Sequence, residues 1–362
     1  MSVLLLAESR SGAQTEVPGD AESTDALRQR LVKEGVSFLL TKGQHEDGSF
    51  HKEADPGVSA LCVAALLRGG QSPSVPGVER GLKYLESFVR PDGGIYREGS
   101  YYQNYETCIS VIAFHEANRD GRYQQILDRA LAYARELQWD QGEGKDATDP
   151  AYGGAGYGSH KRPDLSNTQF LIDALKAEEN DANREAITRA LIFVSRAQNL
   201  VSEHNRLEFP GKNPDGGFYY TPAAGGSSQA GETDTGGLRS YGSMTYAGLK
   251  SLIYAGVGPE DERVKAALGW IRHHYTLQEN PGMGTSGLYY YFHTFAKALE
   301  ATGQATFTDD AGTPHAWRTE LIEELARLQQ ADGSWNNSDP RWLENDPNLV
   351  TAYALLALSH CD

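Results

Sequence analysis

Leu328-Gln329-Gln330-Ala331-Asp332-Gly333-Ser334-Trp335 repeats the pattern of Gln44-His45-Glu46-Asp47-Gly48-Ser49-Phe50: a Gln, three residues, then Gly-Ser and an aromatic. Between them lie Asp92-Gly93-Gly94-Ile95-Tyr96, Tyr152-Gly153-Gly154 and Asp215-Gly216-Gly217-Phe218, and a blurred copy, Pro281-Gly282-Met283-Gly284, precedes Tyr289. Marker positions 47, 92, 153, 215, 283 and 332 are 45, 61, 62, 68 and 49 residues apart. Recurrence at this period means that one supersecondary unit is copied around or along an axis.

Each marker separates two helix-length runs of different character. The runs before the markers, roughly 26–42, 78–90, 123–139, 183–199, 261–277 and 315–331, carry apolar residues at three- and four-residue steps with charge opposite. Ile187-Thr188-Arg189-Ala190-Leu191-Ile192-Phe193-Val194 is an example. Such a helix buries one stripe. The runs after the markers, such as Val58-Ser59-Ala60-Leu61-Cys62-Val63-Ala64-Ala65-Leu66 and Val350-Thr351-Ala352-Tyr353-Ala354-Leu355-Leu356, have almost no charged face. Helices apolar nearly all round belong inside. Six outer and six inner helices describe an all-α, α6/α6 toroid, a double ring of helices. An open solenoid would need polar capping repeats at its ends. The last inner run, 348–361, is as apolar as the middle ones, which favours closure.

The chain has 362 residues, 49 acidic against 33 basic, and a net charge of −16. Phosphate backbones and anionic membrane surfaces are therefore poor partners, and no nucleic acid is expected. A mean hydropathy of −0.52, with no long apolar run, gives no transmembrane helix. Three cysteines, Cys62, Cys108 and Cys361, make no even disulfide framework, and no Cys/His cluster has zinc spacing. Val3-Leu4-Leu5-Leu6-Ala7 resembles the end of an export signal without its basic segment. Residues 1–25 read as a flexible leader, one reading of which is a trimmed signal peptide, and residues 26–362 read as a single toroid domain. Compartment and oligomeric state are left open by the sequence.

The Gln-x3-Gly-x-[Trp/Phe] signature, with an aromatic five residues before the Gln (Phe193 and Gln198, Tyr133 and Gln138), resembles the QW repeat of the terpenoid cyclase and protein prenyltransferase superfamily. The resemblance spans roughly residues 26–361 and implies the toroid fold, with the Gln and aromatic as structural elements. It also implies a hydrophobic, isoprenoid ligand in a central cavity. The chemistry of the superfamily is not carried over. In place of the Asp-x-Asp-Asp-Thr of squalene–hopene-type cyclases stands Asp164-Leu165-Ser166-Asn167-Thr168, with Ser166 at the proton-donor position. Tyr291-Phe292-His293-Thr294 resembles the His element of the prenyltransferase zinc site. The Asp-x-Cys is missing, so no metal and no cofactor are expected.

All six inner helices should run the same way, bringing their first turns to one mouth. That mouth would gather Asp55, Tyr101, Tyr102, Glu106, Asp164, Asn167, Tyr241, Tyr289, Tyr290, His293, Asp346 and Asn348. From these, Asp164, His293 and Glu106 are the candidate catalytic groups, and Asn167, Tyr102, Tyr241, Tyr290 and Asp55 the candidate ligand contacts. Capping of the helices explains some of the acids; the tyrosines exceed what capping needs. Aromatics with polar tips suit a cation–π lining or a sugar platform. Three functions follow: a cyclase- or prenyltransferase-like protein binding or transforming an isoprenoid; a carbohydrate-active toroid, lyase or glycosidase, using Tyr and His or paired carboxylates such as Asp164 and Glu106; and a non-catalytic scaffold. The insertions 142–162 and 199–237 would cover one mouth or the other.

Overall fold

The computed structural model describes residues 22–51, 56–158 and 162–362. Its helices are α1 (Thr24–Phe38, continued by a π-helical turn Leu39–Gly43), α2 (Pro56–Arg68), α3 (Pro76–Glu86), α4 (Gln103–Ala117), α5 (Gln124–Glu136), α6 (Leu165–Lys176) and α7 (Asp181–Arg196). They are followed by the short α8 (Phe209–Lys212), then α9 (Gly242–Tyr254), α10 (Glu262–His273), α11 (Leu288–Ala301), α12 (Trp317–Leu328) and α13 (Pro347–Leu358). The sheet content is one small antiparallel pair, β1 (Phe307–Thr308) and β2 (Pro314–His315), with Phe307 opposite His315.

α2, α4, α6, α9, α11 and α13 pack each on the next, and α13 packs on α2. The inner ring is closed. α1, α3, α5, α7, α10 and α12 lie outside it, and α1 also touches α12. Composition explains the sorting: α2 is buried at every position from Pro56 to Leu67, whereas α3 buries only Gly77, Val78, Gly81, Leu82 and Leu85. The first pattern suits a helix walled on all sides and the second a helix with one stripe against the ring.

The turn markers join the two layers in a repeated way. Gly48, Gly153 and Gly333 have φ of +92°, +84° and +89°. Each backs onto a carbonyl of the adjoining outer helix, at Arg80, Arg189 and Glu34, so closely that a Cβ would come within 2.5 Å of it. The aromatic position then donates its backbone N–H to a hydroxyl of the following inner helix: Phe50 to Ser59, Phe218 to Thr245 and Trp335 to Thr351, at 3.0 to 3.1 Å. The marker Gln bridges neighbours. The Gln44 amide donates to the carbonyls of Gly48 and Gly77, that of Gln138 to Gly153 and Ala186, and that of Gln198 to Gly216 and Arg263. Around the fifth marker Asn280 takes over, accepting from the Ser243 N–H at 2.9 Å and donating to the Ser286 carbonyl, which is why that copy is blurred in the sequence.

The same devices close the seam. Asn348 donates to the carbonyls of Gly43 and Phe50 at 3.0 and 2.7 Å, and Asp362 pairs with Arg28. The outer helices are shorter than the sequence pattern suggests, because the marker turns begin earlier: Val89 already pairs with Ile95, and Gln198 with Phe218. The expected leader lies outside the described residues up to residue 21. Ser23, inside its expected span, is the N-cap of α1, accepting from the Ala26 N–H.

Candidate functional site

The N-terminal ends of all six inner helices surround one cavity of about 280 Å³. Seven tyrosines line it: Tyr102 and Tyr105 from α4, Tyr157 and Tyr220 from the two insertions, Tyr241 before α9, Tyr290 from α11 and Tyr353 from α13. Aromatic edges hold them. Tyr102 stands edge-on to Tyr157 at 5.1 Å, Tyr105 to Phe170 at 5.4 Å, and Tyr290 to Tyr353 at 5.8 Å. Val58, Phe170, Met244 and Leu349 complete the apolar wall, with Ser166, Ser243 and Gln229 as its neutral polar groups. Among the described lining residues there is no Lys or Arg, and Glu344 is the one carboxylate.

The rim is formed by Tyr102, 46% exposed, and by Trp342 and Leu343, 43% and 46% exposed. Trp342 and Leu343 both adopt positive φ, +56° and +63°. Two successive non-glycine residues in this region are strained, and such strain collects at functional loops. Their loop is tied across the mouth by Arg341, which donates to Gln229 at 2.6 Å, and Trp342 packs over Gly287 at the start of α11. The insertions thus flank this mouth.

Asp164 caps α6. It is buried, accepting from the Asn167 N–H at 2.9 Å, the Asn167 amide at 2.9 Å and the Ser166 hydroxyl at 2.6 Å. Burial raises its carboxyl above the ordinary range, against hydrogen bonds from Ser166, Asn167 and Tyr220. Ser166, not Asp164, faces the cavity. Glu344, also buried, caps α11 from 54 positions away, accepting from the Tyr290 N–H at 2.9 Å and the Asn337 amide at 2.7 Å. Burial raises it too. The phenols of Tyr220, Tyr241, Tyr290 and Tyr353 are all held above their usual range, chiefly by burial, so they act as hydrogen-bond donors, not as bases. The Tyr290 hydroxyl is buried without a partner among the described residues.

Of the residues expected at the mouth, Tyr102, Tyr241 and Tyr290 line the cavity, and Asp164 and Asn167 lie just behind it through Ser166. Glu106, in the first turn of α4, is fully buried against the loop before that helix, accepting from the Arg97 N–H at 2.9 Å and from the Ser100 hydroxyl, and does not line the cavity. His293 does not line it either. Five residues into α11, it sits about 8 Å below the helix start, stacked on Tyr353 at 5.9 Å and facing His360 at 6.0 Å. The sequence placed it at the mouth because it counted helix starts without helix depth. Asp55 lies outside the described residues. Glu344, Trp342, Tyr105, Tyr157 and Tyr220 were not singled out; the loop residues among them carry no periodic signal. Among the described residues no group of three or more His, Cys, Asp or Glu side chains is placed to hold a metal ion.

No protein-family model matches the chain. No curated protein matches it either. Solved structures do match. An inactive variant of an α-1,6-mannanase from Salegentibacter sp. HEL1_6, in complex with α-1,6-mannotriose, has a TM-score of 0.61 at 10% identity, covering 92% of this chain and 100% of that one. A polysaccharide lyase has a TM-score of 0.55 at 10% identity, with 93% and 97% covered. A type II terpene cyclase from Scytonema has a TM-score of 0.53 at 12% identity, with 92% and 98% covered. At such identities the likeness concerns the fold alone: this is an α/α toroid, similar to glycoside hydrolases and a lyase as well as to a terpene cyclase.

Proposed function

We propose that this is a carbohydrate-active toroid that seats a short neutral saccharide in the tyrosine-lined mouth. The observation that carries the reading is the lining itself: seven phenols, an exposed Trp and Tyr at the rim, and no cation among the described lining residues. Aromatic faces pack on the C–H faces of a sugar while phenol tips and serine hydroxyls meet its hydroxyls. Glycosidic cleavage calls for two carboxyl groups, one of them protonated. Glu344 at the wall is one carboxyl and Asp164, reached through Ser166, the second; burial raises both. The mannanase and lyase likenesses agree with this reading at the level of fold.

A second reading, the isoprenoid one, is favoured by the apolar wall of Val58, Phe170, Met244 and Leu349. An isoprenyl diphosphate would lack a counter-charge there, so only a neutral isoprenoid suits it. Calorimetry with manno-, gluco- and xylo-oligosaccharides, farnesol and farnesyl diphosphate separates the two. Saturable binding of at least one sugar series is expected, weakened ~10-fold, or about 1.4 kcal/mol, in Trp342→Ala. Farnesol binding without any sugar binding would overturn the proposal in favour of the second reading.

A further inference from the structure

The opposite mouth has unlike chemistry. Where the C-terminal ends of the inner helices meet, a cavity of about 580 Å³ opens between Arg68 of α2, Glu116 of α4, Asp173 of α6, Lys297 and Glu300 of α11, and His360 beyond α13. α6, α9 and α11 each bury one charged side chain, Asp173, Lys250 and Lys297, and the ring brings the three together. Lys250 of α9 reaches Asp173 Oδ1 at 2.7 Å, and Lys297 reaches Asp173 Oδ2 at 2.8 Å. Both ammonium groups also lie over the Tyr254 ring, at 5.6 and 5.8 Å.

Among the described residues Asp173 is the only carboxylate in ion-pairing distance of either lysine. Two cations therefore share one anion, and the lysine side chains are 1% and 9% exposed. Lys250 also donates to the Gln169 side chain, but Lys297, which lines the cavity, has Asp173 as its one acceptor among the described residues for three N–H groups. The neighbouring carboxylates lie outside ion-pairing distance of both lysines, Glu116 beside Arg68 and Glu300 45% exposed at the edge, so the surplus is that of the buried cluster itself. Arg68 is paired with Glu116 at 2.8 Å, and Glu300 accepts from His360 Nδ1 at 2.6 Å, leaving His360 Nε2 to accept from Arg68. A buried net charge is costly unless a counter-charge and hydrogen bonds meet it.

We propose that the C-terminal mouth is a binding site for a small oxyanion, one carboxylate or phosphate group, seated against Lys297 and Arg68. It is a separate site from the tyrosine mouth, and its test is independent of the function proposed there. The competing account is that the lysines only complement the negative ends of six helices. Those ends, however, are largely closed by their own turns: Gly69 N–H bonds the Ala65 carbonyl, Ala255 the Ser251 carbonyl, and Ser359 the Leu355 carbonyl.

The experiment titrates inorganic phosphate and, separately, acetate into the full chain at pH 6, where Lys250 carries its proton, and at constant ionic strength, reading heat and thermal midpoint. The expected result is a saturable rise in midpoint with at least one anion, and the arm that responds identifies phosphate or carboxylate. In Lys250→Met, Asp173 keeps Lys297, so the pair is neutral and the fold retains its partner; affinity is expected to fall ~10-fold or more. Lys265→Met removes the same charge from the outer surface and is expected to leave affinity unchanged. Absence of saturable binding of both anions overturns the proposal, as does equal weakening by Lys265→Met and Lys250→Met. Should Lys250→Met fail to fold, Arg68→Gln at the cavity edge serves in its place, with the same two outcomes.

Discussion

Gln329, just past the last outer helix, donates its side-chain amide to the carbonyl of Leu31 in the first, 298 positions away, at 3.3 Å. Gln138 and Gln198 form the same contact between sequential neighbours. Ring closure is therefore not a special joint but one more copy of the repeat contact, made by residues that local folding cannot bring together. Removing one such amide should cost on the order of 1 kcal/mol. Because it spans the seam, Gln329→Ala should also speed amide exchange in both α1 and α12, whereas Gln138→Ala should affect only α5 and α7; hydrogen–deuterium exchange measures the difference.

Glycine at the marker turn answers two demands that can be separated. Gly333 has φ +89° and the Glu34 carbonyl 2.5 Å from where a Cβ would be; Gly303 has φ +71° and nothing within 4 Å. Gly303→Ala is expected to cost about 1 kcal/mol for the backbone alone. Gly333→Ala should cost roughly 3 kcal/mol, since the outer helix must also move. Denaturant titration of the two variants checks this; equal losses would show that the close approach has no energetic weight.

Asp164 holds the first turn of α6 through its bond to the Asn167 N–H. Asp164→Ala should destabilise the protein by about 1–2 kcal/mol, the worth of a lost N-cap, and Asp164→Asn by clearly less. If Asp164 also serves in the chemistry, Asp164→Asn will abolish turnover of any saccharide found to be cleaved while leaving its binding within about twofold. Thermal unfolding and turnover measured on the same samples distinguish a cap from an acid.

Tyr290 offers a test that stability and binding should answer differently. Its hydroxyl has no partner among the described residues, so Tyr290→Phe removes a buried polar atom without breaking a bond. Stability should stay level or rise by up to about 1 kcal/mol. Saccharide affinity should drop, because the hydroxyl is the group left for a ligand to meet. A variant that both destabilises the fold and binds normally would show that the hydroxyl serves the protein and not a ligand.

Lys250 titrates at about 7, lowered from the lysine value of 10.5 mainly by burial, with the Asp173 charge opposing. The unfolded chain holds this proton up to its ordinary value, and the folded chain releases it near 7. The unfolded state therefore binds more protons between the two, and stability contributed by this site rises with pH across that window, the cost being complete below about pH 7. Lys250→Met should be more stable relative to the native chain at pH 6 than at pH 9. Thermal midpoints at both values check the sign; a constant difference would mean that Lys250 keeps its proton throughout.

The ring was legible because its devices are local and repeated. The turn glycines, the Gln and the apolar inner helices each leave a mark within a dozen residues, and together they gave the closed toroid. The mouth was legible in part: Tyr102, Tyr241 and Tyr290 open their helices and line it. Glu344 was not, since it caps a helix 54 positions away from a loop without periodicity. Glu106 and His293 show the limit of reading helix starts alone, the first turning back onto the loop before its helix and the second lying more than a turn down. The Asp173, Lys250 and Lys297 cluster did leave a signal that went unread. One buried charge in each of three inner helices has to find the others, and a closed ring is where it finds them.

The aromatic row midway through the ring bears on what each mouth can hold. Phe170, Tyr290, Tyr353 and His293 form a row from α6 across to α13, each ring within 6.2 Å of the next, and the two cavities share no lining residue. The two mouths are thus separate cavities with an aromatic row between them. A ligand entering the tyrosine mouth meets Phe170, Tyr290 and Tyr353 at its inner end. What is held at one mouth is therefore walled by different side chains from what is held at the other, so the two ends of the ring answer to different ligands.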